Sequence, residues 1–205
     1  MKIKRQECRF CEVNKMKEIK HTVIANTRWL KLVEAEVEIR GVTQKWTYCT
    51  RRQDLDTVPA TPDAVVIVPF VREAGETRIL LVHEYRTPIN RTMYAFPAGL
   101  VDDGESVETS AARELLEETG CRVVSILDQS PPTLYPSAGL TDETFQYVFV
   151  EAAYQGEPQL EGSEEIELHS FTLDALRALL ETQPAMCGRT WPLCYQYLQN
   201  YKFPI

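Results

Sequence analysis

Nowhere in the 205 residues do eighteen consecutive apolar residues occur, so no segment is expected to cross a bilayer as a helix and no membrane partner is expected. The basic start, MKIKRQECRF, has no apolar run behind it; no export signal is expected there, and the expected location is cytoplasmic. Basic residues are the minority charge, 22 Lys and Arg against 30 Asp and Glu for a formal net charge of -8, and they form no stripe. Phosphate backbones are gripped by clustered Lys and Arg, so nucleic acid is not expected as a partner. Six cysteines are present. Cys8-x-x-Cys11 is half of a zinc knuckle, with His21 as an extra ligand, but a second pair at similar spacing is missing and Cys187 with Cys194 does not supply it. Reduced thiols are the preferred reading. Internal repeats and low-complexity tracts are also lacking.

What is present suits a folded domain with a modest extension: 44% of the residues are hydrophobic, enough for a core of ordinary size. The segment KLVEAEVEIRG alternates Val33, Ala35, Val37 and Ile39 with Glu34, Glu36, Glu38 and Arg40 before reaching Gly41. This pattern predicts a half-buried strand and a turn, with a partner strand carrying Trp46 and Tyr48. DTVPATP at 56–62 breaks the pattern and marks a linker near residue 60. Beyond it, AVVIVPFV (64–71) and RILLVHEYR (78–86) are mostly apolar and of strand length, as expected for strands covered on both faces. Helices are expected at 106–119, closed by Gly120, at 173–181 behind a Thr172 cap, and at 192–201; further strands at 145–153 and 166–171. Strands interleaved with helices predict a mixed α/β layer fold. Glu73, Glu84, Arg72 and Arg91 read as solvated charges.

The segment GLVDDGESVETSAARELLEETG (99–120) concentrates acids on one helix. At about 100° per residue, Ala111, Ala112, Leu115 and Leu116 share one arc, while Glu114, Glu117 and Glu118 crowd another. Like charges three or four residues apart cost a few tenths of a kcal/mol per pair. A generic charge run is usually a solvated face, but such a face gains from interleaved Lys, and here only Arg113 interrupts the acids. Carboxylates gathered without cations are the donor set of Mg²⁺, a hard ion that bridges protein acids to substrate phosphates.

This stretch resembles the Nudix box, G-x5-E-x7-R-E-U-x-E-E-x-G-U, at Gly99, Glu105, Arg113, Glu114, Leu115, Glu117, Glu118 and Gly120, with Cys121 in the final apolar place. The fixed identities give a chance match on the order of 10⁻⁹ per window. Cys121 serves there as a small apolar residue. The resemblance implies that Glu114 and Glu118 are central metal ligands, that Glu117 is a further ligand, and that the carbonyl of Ala98 joins them. It also implies that Arg113 holds Glu105 or Glu117 by a two-bond pair. Glu108, outside the box, reads as favourable charge at a helix start.

Flanking residues narrow the branch. YAFPAGLVDDGE (94–105) is similar to the Glu-Phe-Pro-Ala-Gly lead-in of ADP-ribose and ADP-sugar pyrophosphatases, with Ala95 in place of the usual Glu. YPSAGLTDE (135–143) resembles the loop that follows the box in that branch, with Pro136 fifteen positions after Cys121 and Ser137-Ala138-Gly139 where Ser-Pro-Gly is usual. Glu143 then corresponds to the loop acid, a general base or a metal ligand. TRWLKLVEAEVEIRG and KWTYCTRR resemble the branch's small N-terminal β-domain, where two tryptophans stack on adenine. Trp29 and Trp46 match them, and Arg51 and Arg86 align with residues that contact adenine or the diphosphate.

The resemblance thus implies an α/β/α sandwich around a mixed sheet at 61–205, preceded by a small antiparallel β-domain at 1–60 used for dimerisation and base stacking. It implies hydrolysis of ADP-ribose, or a related ADP-sugar, to AMP and a sugar phosphate. Two or three Mg²⁺ ions per site, or Mn²⁺, would neutralise the diphosphate. It further implies a homodimer with exchanged N-terminal domains. The alternatives are another nucleotide sugar or dinucleotide (GDP-mannose, NADH, FAD) and a nucleotide-sensing module that does not hydrolyse its ligand; the complete set of box acids argues against the latter.

Overall fold

The structure, a computed structural model, describes residues 17–57, 59–160, 162 and 165–199. These fall into two compact units: 17–57 together with Gly139–Thr141, and the remainder. The Cys8–Cys11 motif lies outside the described residues, as do the last positions of the helix expected at 192–201.

The N-terminal unit is an antiparallel sheet of β1 (Ile19–Asn26), β2 (Lys31–Ile39) and β3 (Val42–Thr50), in that order. Alternation in β2 sends Val33 and Ala35 inward, which sets the register because a one-residue slip would expose both. The β2–β3 turn is Arg40-Gly41, both at positive φ (55° and 77°), as a two-residue hairpin requires. Residues of the 135–143 loop extend this unit: the Cys49 amide donates to the Leu140 carbonyl at 2.8 Å, and Trp46 Nε1 donates to the Gly139 carbonyl at 2.9 Å.

The larger unit is built on β4 (Ala64–Glu73), β5 (Glu76–Arg86), β6 (Arg91–Ala95), β7 (Ala98–Leu100), β8 (Cys121–Gln129), β9 (Phe145–Tyr154) and β10 (Ile166–Phe171). The main path runs β10-β5-β4-β9-β8, with β6 on β5 and β7 on β4. The sheet is mixed, because β4 and β9 are parallel while the other pairs are antiparallel. Among the described residues three α-helices accompany it: α1 (Val107–Thr119), α2 (Leu173–Glu181) and α3 (Trp191–Leu198).

Strand β4 shows why its sequence has no polar alternation. Val65, Ile67 and Val71 pack with Ala111 and Leu115 of α1 and with Cys121, Val148 and Val150. Ala64, Val66, Val68 and Phe70 pack on the other face with Leu176 of α2 and with Cys194 and Tyr197 of α3. Both faces are therefore covered, and each fully buried side chain of this size contributes about 1.5–3 kcal/mol. Cys121 fills an apolar position with no exposed surface, and burial pushes its thiol pKa up.

Helix α1 begins where the Ser106 hydroxyl accepts the Thr109 amide at 3.2 Å. It ends at Gly120, at φ 67°. A Cβ there would meet the Gly156 carbonyl oxygen at 2.1 Å, so both the left-handed turn and the close approach of the chain after β9 demand glycine. That returning chain also caps the helix end: Gln155 and Gly156 donate to the Gly120 carbonyl, and Gln159 donates to that of Glu117.

Candidate active site

The apolar arc of α1 is anchored in the core, which leaves its acids around one guanidinium. Arg113 holds Glu105 by two bonds, Nη2 to Oε2 at 3.1 Å and Nε to Oε1 at 3.4 Å. Its Nη1 donates to Glu114 Oε1 at 2.7 Å and to Glu117 Oε2 at 3.2 Å, and its Nη2 also reaches the Leu100 carbonyl at 3.2 Å. A planar, always-charged fork suits this task where a lysine would not. The Ser110 hydroxyl adds a 2.6 Å bond to Glu105.

These contacts hold the Glu105 carboxyl below its ordinary value of 4.5, the Arg113 bond being the largest cause and Ser110 the next. Arg113 is correspondingly pushed up, chiefly by Glu105. A carboxyl depressed in the fold adds stability that is complete above the unfolded value and is lost as pH falls through the folded one. Glu105 is therefore expected to titrate below 4.5 by NMR. The clamp's contribution to melting temperature should stay flat above about pH 4.5 and decline below it.

Glu118, only 7% exposed, accepts the Ala98 amide at 3.2 Å. It lines a cavity of about 250 Å³ with Glu84, Tyr85, Arg86, Ala98 and Glu165. Glu84 is not solvated, as its sequence position suggests, but 6% exposed. Its Oε1 lies 2.8 Å from Arg86 Nη2. Two nearly buried carboxylates, Glu84 and Glu118, thus stand on one cavity that Arg86 and the exposed Glu165 also line, and buried charge needs matching partners.

Gly99 supplies the other constraint. A Cβ there would stand 1.9 Å from the Glu114 carboxyl, so the first glycine of the box leaves the space in which that carboxyl lies. An all-oxygen donor set, the nearly buried Glu118 carboxylate and a glycine cradle fit a hard divalent cation. Glu114, Glu117, Glu118 and the Ala98 carbonyl are the groups that could hold it.

Glu143 lines a different, wider cleft of about 550 Å³ with Tyr135, Pro136, Phe145, Tyr147 and Arg189. A small crevice bordered by Glu84, Arg86, Ala98, Cys187 and Arg189 shares its lining with both. The Arg189 guanidinium sits 5.2 Å from the Phe145 ring centre, and the Tyr147 hydroxyl donates to the Arg189 carbonyl at 2.7 Å. Burial pushes Tyr147 up to about 12.

The structure therefore brings Glu105, Arg113, Glu114 and Glu117 into direct contact, and places Ala98, Glu118 and Arg86 around one cavity with Glu143 on a neighbouring cleft. Trp29, Trp46 and Arg51 belong to the N-terminal unit. There Arg51 Nη1 lies 3.5 Å from the Trp29 carbonyl, Arg28 stacks 4.5 Å over the Trp29 ring, and both tryptophans are more than half exposed. Ala95 is buried in β6 opposite Val82. Of the other charges read as solvated, Glu73 pairs with Arg78 and Arg72 with Glu151, in half-exposed bridges, and Arg91 is exposed.

Sequence reasoning missed Glu84, Glu165 and Arg189. A signal existed for Glu84, a charge inside an otherwise apolar run that needs a buried partner. None existed for Arg189, which follows the stretch of recognisable pattern.

Residues 60–186 match the NUDIX domain, and the chain belongs to the Nudix hydrolase family. It is 30% identical over 140 residues to a Bacillus subtilis protein named ADP-ribose pyrophosphatase, a match covering 67% of this chain and 72% of that one. It is 30% identical over 136 residues to a Mus musculus protein named ADP-sugar pyrophosphatase, covering 62% of this chain but only 57% of that one. A solved structure described as an ADP compounds hydrolase has the same fold, with a TM-score of 0.57 at 20% identity, covering 82% of this chain and 84% of the other.

Proposed function

We propose that the protein hydrolyses the diphosphate link of ADP-ribose, or a closely related ADP-sugar, to AMP and the sugar phosphate, with Mg²⁺ as the supporting cation. The observation that carries this reading is the cavity in which Glu118, Glu84 and Glu165 stand beside Arg86. The names of the Bacillus and mouse relatives support the choice of substrate.

Divalent ions held there would neutralise the diphosphate oxygens and make an attacking water more acidic. Glu114, Glu117, Glu118 and the Ala98 carbonyl are the groups that would hold them. Arg113 keeps Glu105, Glu114 and Glu117 in place, a positioning role, and Arg86 contributes positive charge to the diphosphate. Glu143 orients or deprotonates the water, or serves as a further ligand. Water adds to one phosphorus, the bridging P–O bond breaks, and the two phosphates leave as separate products.

Residues 1–60 act as a base-stacking and dimerisation domain, exchanged between two copies, in which Trp29, Trp46 and Arg51 recognise adenine. The exposure of both indoles favours that role. A cytoplasmic location accords with free thiols at Cys49, Cys121, Cys187 and Cys194.

The test is a panel of nucleoside diphosphate derivatives with phosphate detection, run with Mg²⁺ and then with chelator. ADP-ribose or an ADP-sugar should lead, and chelator should abolish turnover; preference for GDP-mannose, NADH or FAD would overturn the substrate assignment. Arg189, on the wide cleft, is placed to meet the anionic sugar-phosphate half. Arg189→Ala is expected to raise KM for ADP-ribose by about tenfold with kcat little changed, measured by initial rates.

A further inference from the structure

Two of the chain's three histidines converge on a second cluster, away from the glutamates of α1. Glu167 of β10 pairs directly with His83 of β5, and His83 pairs on its other side with Tyr94 of β6. Side chains directly opposite in a ladder share a face, as do residues two apart along a strand. His83, Glu167 and His169 therefore project from the same face of the sheet, in two adjacent rows. Glu84, next to His83, is sent to the opposite face, where it lines the cavity beside Glu118.

One ligand atom from each of His83, Glu167 and His169 lies within 4.8 Å of the other two. His169 Nε2 is shielded from solvent and has no hydrogen-bond partner among the described residues, which is costly for a polar atom. Glu167 Oε2 stands 3.5 Å from it. Two ligands of a tetrahedral Zn²⁺ ion, with bonds near 2.0–2.1 Å, are separated by roughly 3.3 Å. Glu167 and His169 thus already stand at about the spacing that a shared ion imposes.

The rings are held by packing. His83 stacks on Tyr94 with centroids 4.4 Å apart, His169 lies near-parallel to Phe171 at 6.0 Å, and the two imidazoles meet edge to face at 5.9 Å.

We propose that His83, Glu167 and His169 form a second cation site, selective for a transition-metal ion of the Zn²⁺ class. Imidazole is a borderline donor that suits Zn²⁺, whereas Mg²⁺ prefers carboxylate and water oxygen. The site therefore differs in chemistry from the all-oxygen set on α1. Glu167 is exposed while both histidines are half-buried, which gives an ion access from solvent, and three protein ligands leave a fourth position open. The ion ties edge strand β10 to β5 at the row carrying His83, beside the residues of both strands (Glu84, Ile166) that line the Glu118 cavity.

The test is titration of the metal-stripped full chain with Zn²⁺ by calorimetry, in excess Mg²⁺ so that the glutamate site is occupied. Saturable Zn²⁺ binding is expected in the wild type and in Glu118→Gln, with affinity at least about tenfold weaker in His83→Ala and in His169→Ala. Because the histidines also pack against aromatics, Glu167→Gln provides a control at an exposed position: it should weaken Zn²⁺ binding and remove the Zn²⁺-dependent rise in melting temperature without lowering the metal-free melting temperature. Wild-type affinity in all three variants, or Zn²⁺ binding lost only in Glu118→Gln, would overturn the proposal and leave the cluster as ring packing alone.

Discussion

Glu118→Gln is expected to lower kcat for ADP-ribose by on the order of 10³-fold or more while leaving the protein folded. The carboxamide is nearly isosteric and its oxygen still accepts the Ala98 amide, which Glu118 receives at 3.2 Å. What it removes is one negative charge from a position only 7% exposed. Because the amide oxygen keeps the Ala98 contact, the metal-free variant should remain folded. The distinguishing sign lies in the response to Mg²⁺: a ligand that binds only the folded state raises its stability, so the wild type should gain melting temperature and the variant should gain little. Near-normal turnover with a circular dichroism spectrum like the wild type's would defeat the assignment of Glu118.

Arg113→Lys is expected to lower kcat/KM by about 10–100-fold, the usual loss when a group orienting metal ligands is changed. Arg113 touches no reacting atom in the proposed reaction. Its effect runs through three carboxylates at once, with bonds of 3.1 and 3.4 Å to Glu105, 2.7 Å to Glu114 and 3.2 Å to Glu117. A lysine ammonium keeps the charge but cannot span that fan. Two further readouts separate positioning from a general loss of structure. The Glu105 carboxyl, held down chiefly by Arg113, should rise toward 4.5 in an NMR titration. Arg113→Lys combined with Glu105→Gln should also cost less than the sum of the separate losses, because both changes disable one clamp. An unchanged Glu105 titration together with full activity would contradict the clamp.

Much of this was legible in the sequence wherever one physical rule acted alone. α1 was readable from its apolar arc and closing Gly120, and α2 from its Thr172 cap, which does accept the Ala175 amide; the structure adds Ser106 as the cap of α1, accepting the Thr109 amide. Strands β4 and β5 were readable from their mostly apolar runs of strand length. Strand β8 was not: its burial alternates along the strand, but apolar Val124 and Ile126 occupy outward positions while polar Ser125 takes an inward one, so the residue types show no alternation. β1 was hidden for a similar reason, being largely exposed with a register shift between Val23 and Ala25. The short strands β6 and β7 owe their state to pairing with β5 and β4 rather than to local pattern.

The candidate site divides in the same way. The acids of α1 were visible because one helix presents them at fixed spacing. Glu84 and Glu165 line the same cavity from strand β5 and from the chain before β10, and tertiary folding alone brings them there. The His83–Glu167–His169 cluster was hidden likewise, because His83 is far in sequence from Glu167 and His169 yet lies beside them in adjacent rows of one sheet.

The most direct measurement is a crystal of the full chain soaked with Mn²⁺ and a non-hydrolysable α,β-methylene analogue of ADP-ribose, with anomalous difference maps. The account predicts peaks against the carboxyls of Glu114 and Glu118, with the diphosphate analogue over them and its charge shared with Arg86. Fully occupied nucleotide with no anomalous peak beside those two glutamates would contradict it.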